Sequence, residues 1–333
     1  MKICVFGAGA VGGHMAVRLA QAGGDVSAVC RGEILAAVRL NGFVLRTPDG
    51  GESVVHLRAS DDPSTLGVQD VVVFTVKYPA LPAALAQARP LIGAHTRCIF
   101  AMNGLPWWFG ETISPELDAA VRKFIDPQRL FVESLPSERW AHCVITSGNV
   151  ASSPGCIVNT TPGLNRMAIG LSRPVEDATL DAFASVATRG GYFAEIVTDI
   201  RQRVWSKLLI NAGLSSVSVL VDKSSHDTCA NPESRAVVIS LMNELIGLSE
   251  RLGITIAADA TAMTDPARIP HHVTSFLQDL RADRPLEIRT GILAVREIAA
   301  TIGYPVPAIS TVSGLLCGRA KVAQLPDDRA KAA

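Results

Sequence analysis

The chain carries no excess of charge. Lys and Arg total 31 and Asp and Glu total 31 in 333 residues. Without a basic surplus there is no electrostatic footing for nucleic acid or for an anionic membrane, and neither is expected as a partner. Aromatic residues are scarce at 5% and charged residues make up 19%, against 48% hydrophobic. That balance excludes a disordered chain and implies a well-buried globular one. The seven cysteines, at 4, 30, 98, 143, 156, 229 and 317, include no C-x-x-C pair. This argues against a zinc site and against a disulfide framework. Cys4, Cys30 and Cys98 fall inside apolar, strand-like runs, where cysteine acts as a small buried hydrophobe. A reducing cytoplasm is the expected compartment. No uninterrupted apolar run reaches about 18 residues, so no transmembrane helix is expected. The opening MKICVFGAG runs straight into glycine turns, without the longer apolar region and cleavage site of a signal peptide, and none is expected.

What is present is an alternation of strand and helix signals. "KICVF", "DVSAVC", "DVVVFTV" (70–76) and "TRCIFAM" (96–102) are short runs of strand composition. "AVGGHMAVRLAQAG" and "PALPAALAQARPL" between them have helical spacing. Strand–helix–strand repeats indicate a parallel sheet covered on both faces. From about 130 to 170 the pattern changes to short strand candidates, "LFVESL", "CVITSGNV", "GCIVNTT" and "RMAIG", which are expected to extend the sheet. A helix over "VEDATLDAFASVATRGG" and a strand over "YFAEIVT" follow. From about 199 onward only helical periodicity is visible. The expected organisation is therefore a nucleotide-binding domain over 1–198 and a helical domain over 199–333.

"GAGAVG" at 7–12 is a G-x-G-x-x-G sequence that follows a strand and opens a helix. Gly7 permits the tight turn, Gly9 lets a pyrophosphate approach, and Gly12 lets the helix sit close to the strand. The backbone of Gly7, Ala8, Gly9, Ala10, Val11 and Gly12, at a helix N-terminus, suits phosphate charge. An NAD site usually places a carboxylate at the end of the second strand, about 20 residues on. Here that strand ends "AVCRG". Arg31 stands where a 2′-phosphate needs a cation, which favours NADP (as NADPH) over NAD; the alternative is a solvated strand-end arginine.

Within "RVWSKLLINAG" (203–213), Lys207 interrupts an apolar helix, with Asn211 and Ser215 at the next i+4 positions. Such residues lie roughly above one another on an α-helix and form a polar stripe. Taken singly, the bland alternatives are reasonable. Lys207 can snorkel from a surface helix. Asn103-Gly104 can be a simple turn, Ser275 a helix N-cap, and Glu287 a surface partner of Arg284. His271-His272 lack a third ligand at useful spacing, so no metal is expected. His14 is expected to line or face the surface, and Trp107-Trp108 to cover a cleft or fill the interior.

With these motifs assembled, the sequence resembles the ketopantoate reductase (2-dehydropantoate 2-reductase) family over nearly its whole length. "GAGAVGG", "CRG", "TVKYPAL" (75–81), "AMNGLP" (101–106), "KLLINAG" (207–213) and "SFLQDLRADRPLEI" (275–288) occur in the family's order and at about its spacing. The resemblance implies an α/β N-terminal Rossmann domain followed by an all-α C-terminal domain, with a cleft between them. It implies NADPH-dependent reduction of a small 2-keto acid, ketopantoate, on the way to pantothenate and coenzyme A. Carried over by motif, Lys207 is the general acid and Glu287 its partner near the cofactor. Asn103 links cofactor, lysine and substrate. Asn211 and Ser275 bind substrate, with Ser215 at a neighbouring position. Lys77 and the backbone of Val150 contact the cofactor. A homodimer is compatible with the family; the sequence leaves oligomeric state open.

Three positions depart from the family's pattern: Ser215 stands where Asn is common, Arg289 replaces an acid and Ile292 an Asn. An added cation at 289 points to a different or more acidic keto acid. A reductase of another 2-keto acid and a non-catalytic NADP-binding sensor are the alternatives. The intact Lys207–Glu287 pair favours an enzyme.

Overall fold

Runs of Val, Ile and Phe at the N-terminus are too short for helices and too apolar for loops, and they become sheet. In the computed structural model, which describes residues 1–127, 129–131, 139–172 and 176–321, twelve strands appear among the described residues. They are β1 (Lys2–Phe6), β2 (Asp25–Val29), β3 (Phe43–Arg46), β4 (Glu52–Val55), β5 (Arg58–Ser60), β6 (Gln69–Phe74), β7 (Ile92–Phe100), β8 (Trp140–Thr146), β9 (Asn149–Ser153), β10 (Cys156–Asn159), β11 (Arg166–Gly170) and β12 (Phe193–Ile196). Eight form one sheet in the order β12-β11-β8-β7-β6-β1-β2-β5. Strands β5 to β8 are parallel, and β11 runs antiparallel to β8. The order β5-β2-β1-β6-β7-β8 is that of the doubly wound dinucleotide fold, which reverses direction beside β1.

One face of this sheet, with Ile3, Val5, Val71, Val73 and Ile99, is covered by Met15 and Leu19 of helix α1 (Ala10–Gln21) and by Phe183 of helix Ala178–Arg189. The strands expected between 130 and 170 divide. β8 and β11 extend the main sheet as expected. β9 and β10 instead join β3 and β4 in a second sheet, β4-β3-β10-β9, packed against α1. The strand expected over "LFVESL" is helical at Leu130 and Phe131, and the rest of it lies outside the described residues.

The chain divides into two compact units: Met1–Met102 with Phe131–Ile200, and Asn103–Leu130 with Arg201–Ala333. The end of the first unit at Ile200 falls close to the expected change of pattern at 198. A single boundary there omits the excursion 103–130, which belongs to the helical unit. The reason is an amphipathic helix, Pro115–Ile125, that buries Leu117, Val121 and Ile125 and packs on helix Ala294–Thr301. Besides the neighbouring Gly110–Thr112 turn, this helix finds its packing partner far along the chain.

One continuous helical stretch runs from Ile200, the last residue of the first unit, to Val221 in the helical unit. By length and composition it is apolar enough to cross a membrane, with a mean hydropathy of 1.5 over its most apolar window. Yet 72% of that window is buried inside the protein, as in a core helix. Trp205 is fully buried; its ring stacks on Phe109 at 5.5 Å and its Nε1–H donates to Leu245 O at 2.9 Å. Trp107 and Trp108 are also buried and fill the interior. Helix Pro307–Arg319 begins against Glu244, whose carboxylate accepts from the backbone N–H groups of Ala308 and Ile309 at 2.8 and 2.9 Å. That satisfies donors that a helix start leaves open.

Trp205→Ala removes the stack, the hydrogen bond and the volume together. It should lower the unfolding free energy by about 3–5 kcal/mol, measured as a fall in the denaturant midpoint at constant slope. A loss below about 1 kcal/mol would mean that this ring is not part of the core.

Candidate functional site

In the first unit the glycine loop leaves β1 where the strand order reverses. Gly7 has φ +103°, a conformation that costs side-chained residues, and a Cβ there would lie 2.7 Å from Val76 Cγ1. A Cβ on Gly12 would clash with Gly7 O and Thr75 Oγ1, whereas one on Gly9 would meet nothing within 4 Å. Gly9 is the N-cap of α1, and no side chain caps it; the first turn contains no acid. The start of α1 therefore offers backbone N–H groups and the positive end of the helix dipole on an open face, which suits a pyrophosphate.

Two neighbours frame this loop. The Gly7 N–H donates to Val29 O at 3.0 Å, tying the loop to the end of β2, and Arg31 follows two residues later. Thr75 donates to Gly7 O and to Phe6 O, tying the loop to the end of β6, and Lys77 follows. Arg31 and Lys77 are both exposed. Val150 lies on β9, in the second sheet, and that strand packs against α1. His14, expected to line or face the surface, is instead fully buried in α1, 2.6 Å from the Tyr192 hydroxyl through Nδ1. Burial, with a smaller contribution from the Arg18 charge, pulls its imidazole down to about 3 and keeps it neutral.

In the helical unit the expected i, i+4, i+8 stripe is modified. Residues Leu209–Leu214 form a π segment, not α-helix. Its i→i+5 bonding widens the turn and rotates whatever follows relative to an unbroken α-helix. Lys207 stands just before it and is half-buried; Asn211 within it and Ser215 just after it are buried. A second π segment, Arg289–Leu293, begins two residues after the half-buried Glu287, with a break at Gly291. The two π segments pack against each other.

The Asn103-Gly104 bend joins the same cluster. Gly104 has φ +90°, and a Cβ there would lie 2.8 Å from both Cβ and O of Thr290. Leu105 N–H donates to Thr290 O at 2.6 Å. Asn103 is exposed and is thus held beside the segment that follows Glu287. Ser275, also exposed, opens helix Ser275–Arg281, which packs on Ser215–Val221. So Asn103, Lys207, Asn211, Ser215, Ser275 and Glu287 stand on elements linked by direct packing. Two of the bland alternatives fail. The N-cap of that helix is Thr274, whose Oγ1 accepts from Leu277 N–H at 3.3 Å, so Ser275 is not the cap. Arg284 pairs with Asp279 at 2.8 Å.

Electrostatics single out the lysine. Burial pulls the Lys207 ammonium down from its usual range to about 8. Half-buried His272 is lowered by burial and then by the Lys207 charge, so it lies within electrostatic reach of the lysine. Nothing in the local sequence marks this histidine. Thr290, which seats the Asn-Gly bend, carries no motif at all. Arg289 is committed elsewhere: its guanidinium lies 4.5 Å from the Phe124 ring centroid, and Nε donates to Phe124 O at 3.2 Å. The expectation that His271 lacks metal-ligating company also needs correction. His226 and Asp227, distant in sequence, stand beside it.

Gly104→Ala forces a side chain into a positive φ and against Thr290. It should cost about 1–3 kcal/mol of stability, and Thr290→Ala in the same chain should restore only part, because the Thr290 carbonyl remains in the way. Full recovery in the double variant, by thermal or denaturant unfolding, would remove the backbone from the argument.

Known proteins resemble this chain along nearly its whole length. The family model described as ketopantoate reductase PanE/ApbA matches residues 3–171, and its C-terminal counterpart matches residues 199–320. A 2-dehydropantoate 2-reductase of Mesorhizobium japonicum is 32% identical over 95% of this chain and 97% of its own. A solved structure from Ralstonia solanacearum, assigned to ketopantoate reductase, is 33% identical with a TM-score of 0.86, covering 95% of this chain and 97% of that one. A D-mandelate dehydrogenase solved with NADH and anilino(oxo)acetate shares the fold at 18% identity and a TM-score of 0.80, covering 96% of this chain and 98% of its own. By the family models and by the identity of its relatives along nearly the whole length, this chain belongs to the ketopantoate reductase family.

Proposed function

We propose that the protein is a cytoplasmic 2-dehydropantoate 2-reductase, which reduces the ketone of 2-dehydropantoate to the alcohol of pantoate with NADPH as the hydride donor. The observation that carries this reading is the packing of the two π segments. It gathers Lys207, Asn211, Ser215, Glu287 and Asn103 in a chain that also has an uncapped glycine-loop helix. The family relationship supports the same activity.

The residues suit the chemistry. When bound, the nicotinamide cofactor supplies the hydride. Gly7 to Gly12 offer backbone N–H groups to its pyrophosphate, Arg31 a cation to its 2′-phosphate, and Lys77 and the Val150 backbone further contacts. Reduction puts negative charge on the ketone oxygen, and a proton must reach it as that charge develops. Lys207 Nζ holds that proton. Lowered to about 8, its ammonium is still protonated at neutral pH yet gives up the proton far more readily than an exposed lysine. Glu287 and Asn103 orient it. Ser275 and Asn211 are neutral donors that bind the carboxylate and hydroxyl without drawing off the lysine's charge.

The departures at 289 and 292 bear less on substrate than their chemistry suggests. Arg289 is engaged with Phe124, and Ile292 is fully buried. Ser215 remains the one departure on the segment carrying Lys207, and it favours a raised KM for 2-dehydropantoate.

NADPH consumption over a panel of 2-keto acids tests the activity; no turnover of 2-dehydropantoate alongside rapid turnover of another would overturn the substrate. Lys207→Ala should lower kcat by about 10²–10⁴-fold while NADPH binding and the circular dichroism spectrum persist. In the wild type, kcat/KM for reduction should fall as pH rises through about 8, where the ammonium deprotonates. A profile flat to pH 10 would assign the proton to another group. Arg31→Ala should raise the Kd for NADPH far more than that for NADH. Equal losses would leave Arg31 a solvated strand-end residue.

A further inference from the structure

Besides the residues gathered around Lys207, one set of potential ligands converges from separate parts of the sequence. His226 and Asp227 lie in the first turn of helix Ser225–Ala230, and His271 lies in the loop before helix Ser275–Arg281. Asp227 Oδ1 is 3.3 Å from His226 Nδ1 and 3.7 Å from His271 Nδ1. One ligand atom from each of the three side chains lies within 4.8 Å of the others. The two imidazoles overlap, with centroids 3.8 Å apart and planes at 34°.

The surroundings hold these groups in place. Asp227 Oδ2 accepts from the Ser224 hydroxyl at 2.7 Å, which leaves Oδ1 to face both imidazoles. His272 O accepts from both Ser225 N–H and Ser225 Oγ at 2.8 Å, so the loop that carries His271 is clamped to the helix start that carries His226. A further turn bond, His272 N–H to Pro270 O at 2.8 Å, closes the loop. The side chains remain open to solvent, at 28% exposure for His226, 49% for Asp227 and 70% for His271.

We infer that His226, Asp227 and His271 form a binding site for one divalent transition-metal ion of the zinc class, with water completing its coordination. The distances support this. Zinc bonds of 2.0–2.1 Å in a tetrahedron set neighbouring donor atoms about 3.4 Å apart, and the two separations from Asp227 Oδ1 bracket that value. Two imidazole nitrogens and one carboxylate oxygen form a donor set that suits Zn²⁺, Ni²⁺ or Cu²⁺ and not the all-oxygen preference of Mg²⁺ or Ca²⁺. The ion would crosslink the start of helix Ser225–Ala230 to the loop that leads into Ser275. It would stand in place of the contacts that now join Asp227 to the imidazoles.

The test is titration of the full chain, free of affinity tag and chelator, with Zn²⁺ against a chromophoric zinc indicator. It is run in the wild type and in Cys317→Ser, because Cys317 is the exposed thiol among the free cysteines. One ion per chain is expected in both, with Mg²⁺ and Ca²⁺ failing to compete. His271→Gln and His226→Gln should each weaken Zn²⁺ binding by at least about 100-fold, with circular dichroism and NADPH binding retained. At 70% exposure His271 contributes little to the packed core, so the fold should persist in that variant, and zinc-dependent protection against thermal unfolding should vanish with it. Absence of Zn²⁺ binding by the wild type at about 1 mM, or equal Zn²⁺ affinity in the wild type and both histidine variants, would overturn the assignment.

Discussion

The helical unit depends on a short contact between an Asn-Gly bend and a threonine far along the chain. Leu105 donates to Thr290 O, and Gly104 lies so close to Thr290 that only a residue without Cβ fits. This contact fixes where the chain goes after β7. The excursion 103–130 then has a helix whose apolar face must be buried, and Ala294–Thr301 buries it. The same segment, Arg289–Leu293, packs on the π turn that follows Lys207. One close backbone approach therefore links Asn103, Glu287 and the lysine helix. A larger residue at 104 would have to move backbone to keep all three.

The lysine's behaviour follows from where this packing puts it. A lysine at the end of an α-helical segment, next to a π turn in an otherwise apolar helix, is drawn out of water without becoming fully buried. Desolvation lowers its pKa toward neutrality, which a proton donor working near pH 7 requires. The long, buried helix that carries it owes its place to Trp205, Phe109 and Leu245. The packed core and the lysine of lowered pKa share one element. In the other unit the logic is reversed. The start of α1 is left without a side-chain cap, an arrangement that suits an anion.

The departures from the family pattern are explained by the same contacts. A cation at 289 next to Glu287 suggests altered substrate charge, but the guanidinium lies over Phe124 and bonds to its carbonyl. An Ile at 292 is a core residue of the second π segment. Arg289 joins this segment to the excursion helix, and Ile292 is buried. Ser215 is buried at the end of the π turn that follows Lys207, on the same helical stretch as the lysine.

The sequence by itself determined the doubly wound sheet, because apolar runs of strand length alternating with helical periodicity leave few other burial patterns. It determined the nucleotide loop, because three glycines at set spacing after a strand meet a local steric demand at Gly7 and Gly12. It also singled out Lys207, since a charge inside an apolar helix is visible without coordinates. It did not show that β3 and β4 pair with β9 and β10, because short strands of middling hydrophobicity choose partners only through tertiary packing on α1. It did not show that 103–130 leaves the first unit, that a π turn breaks the regular stripe, or that His14 is a neutral core residue bonded to Tyr192. Nor did it bring His226 and Asp227 to His271. Those features depend on contacts between residues far apart in sequence, and local periodicity carries no information about which distant surface a buried face will meet.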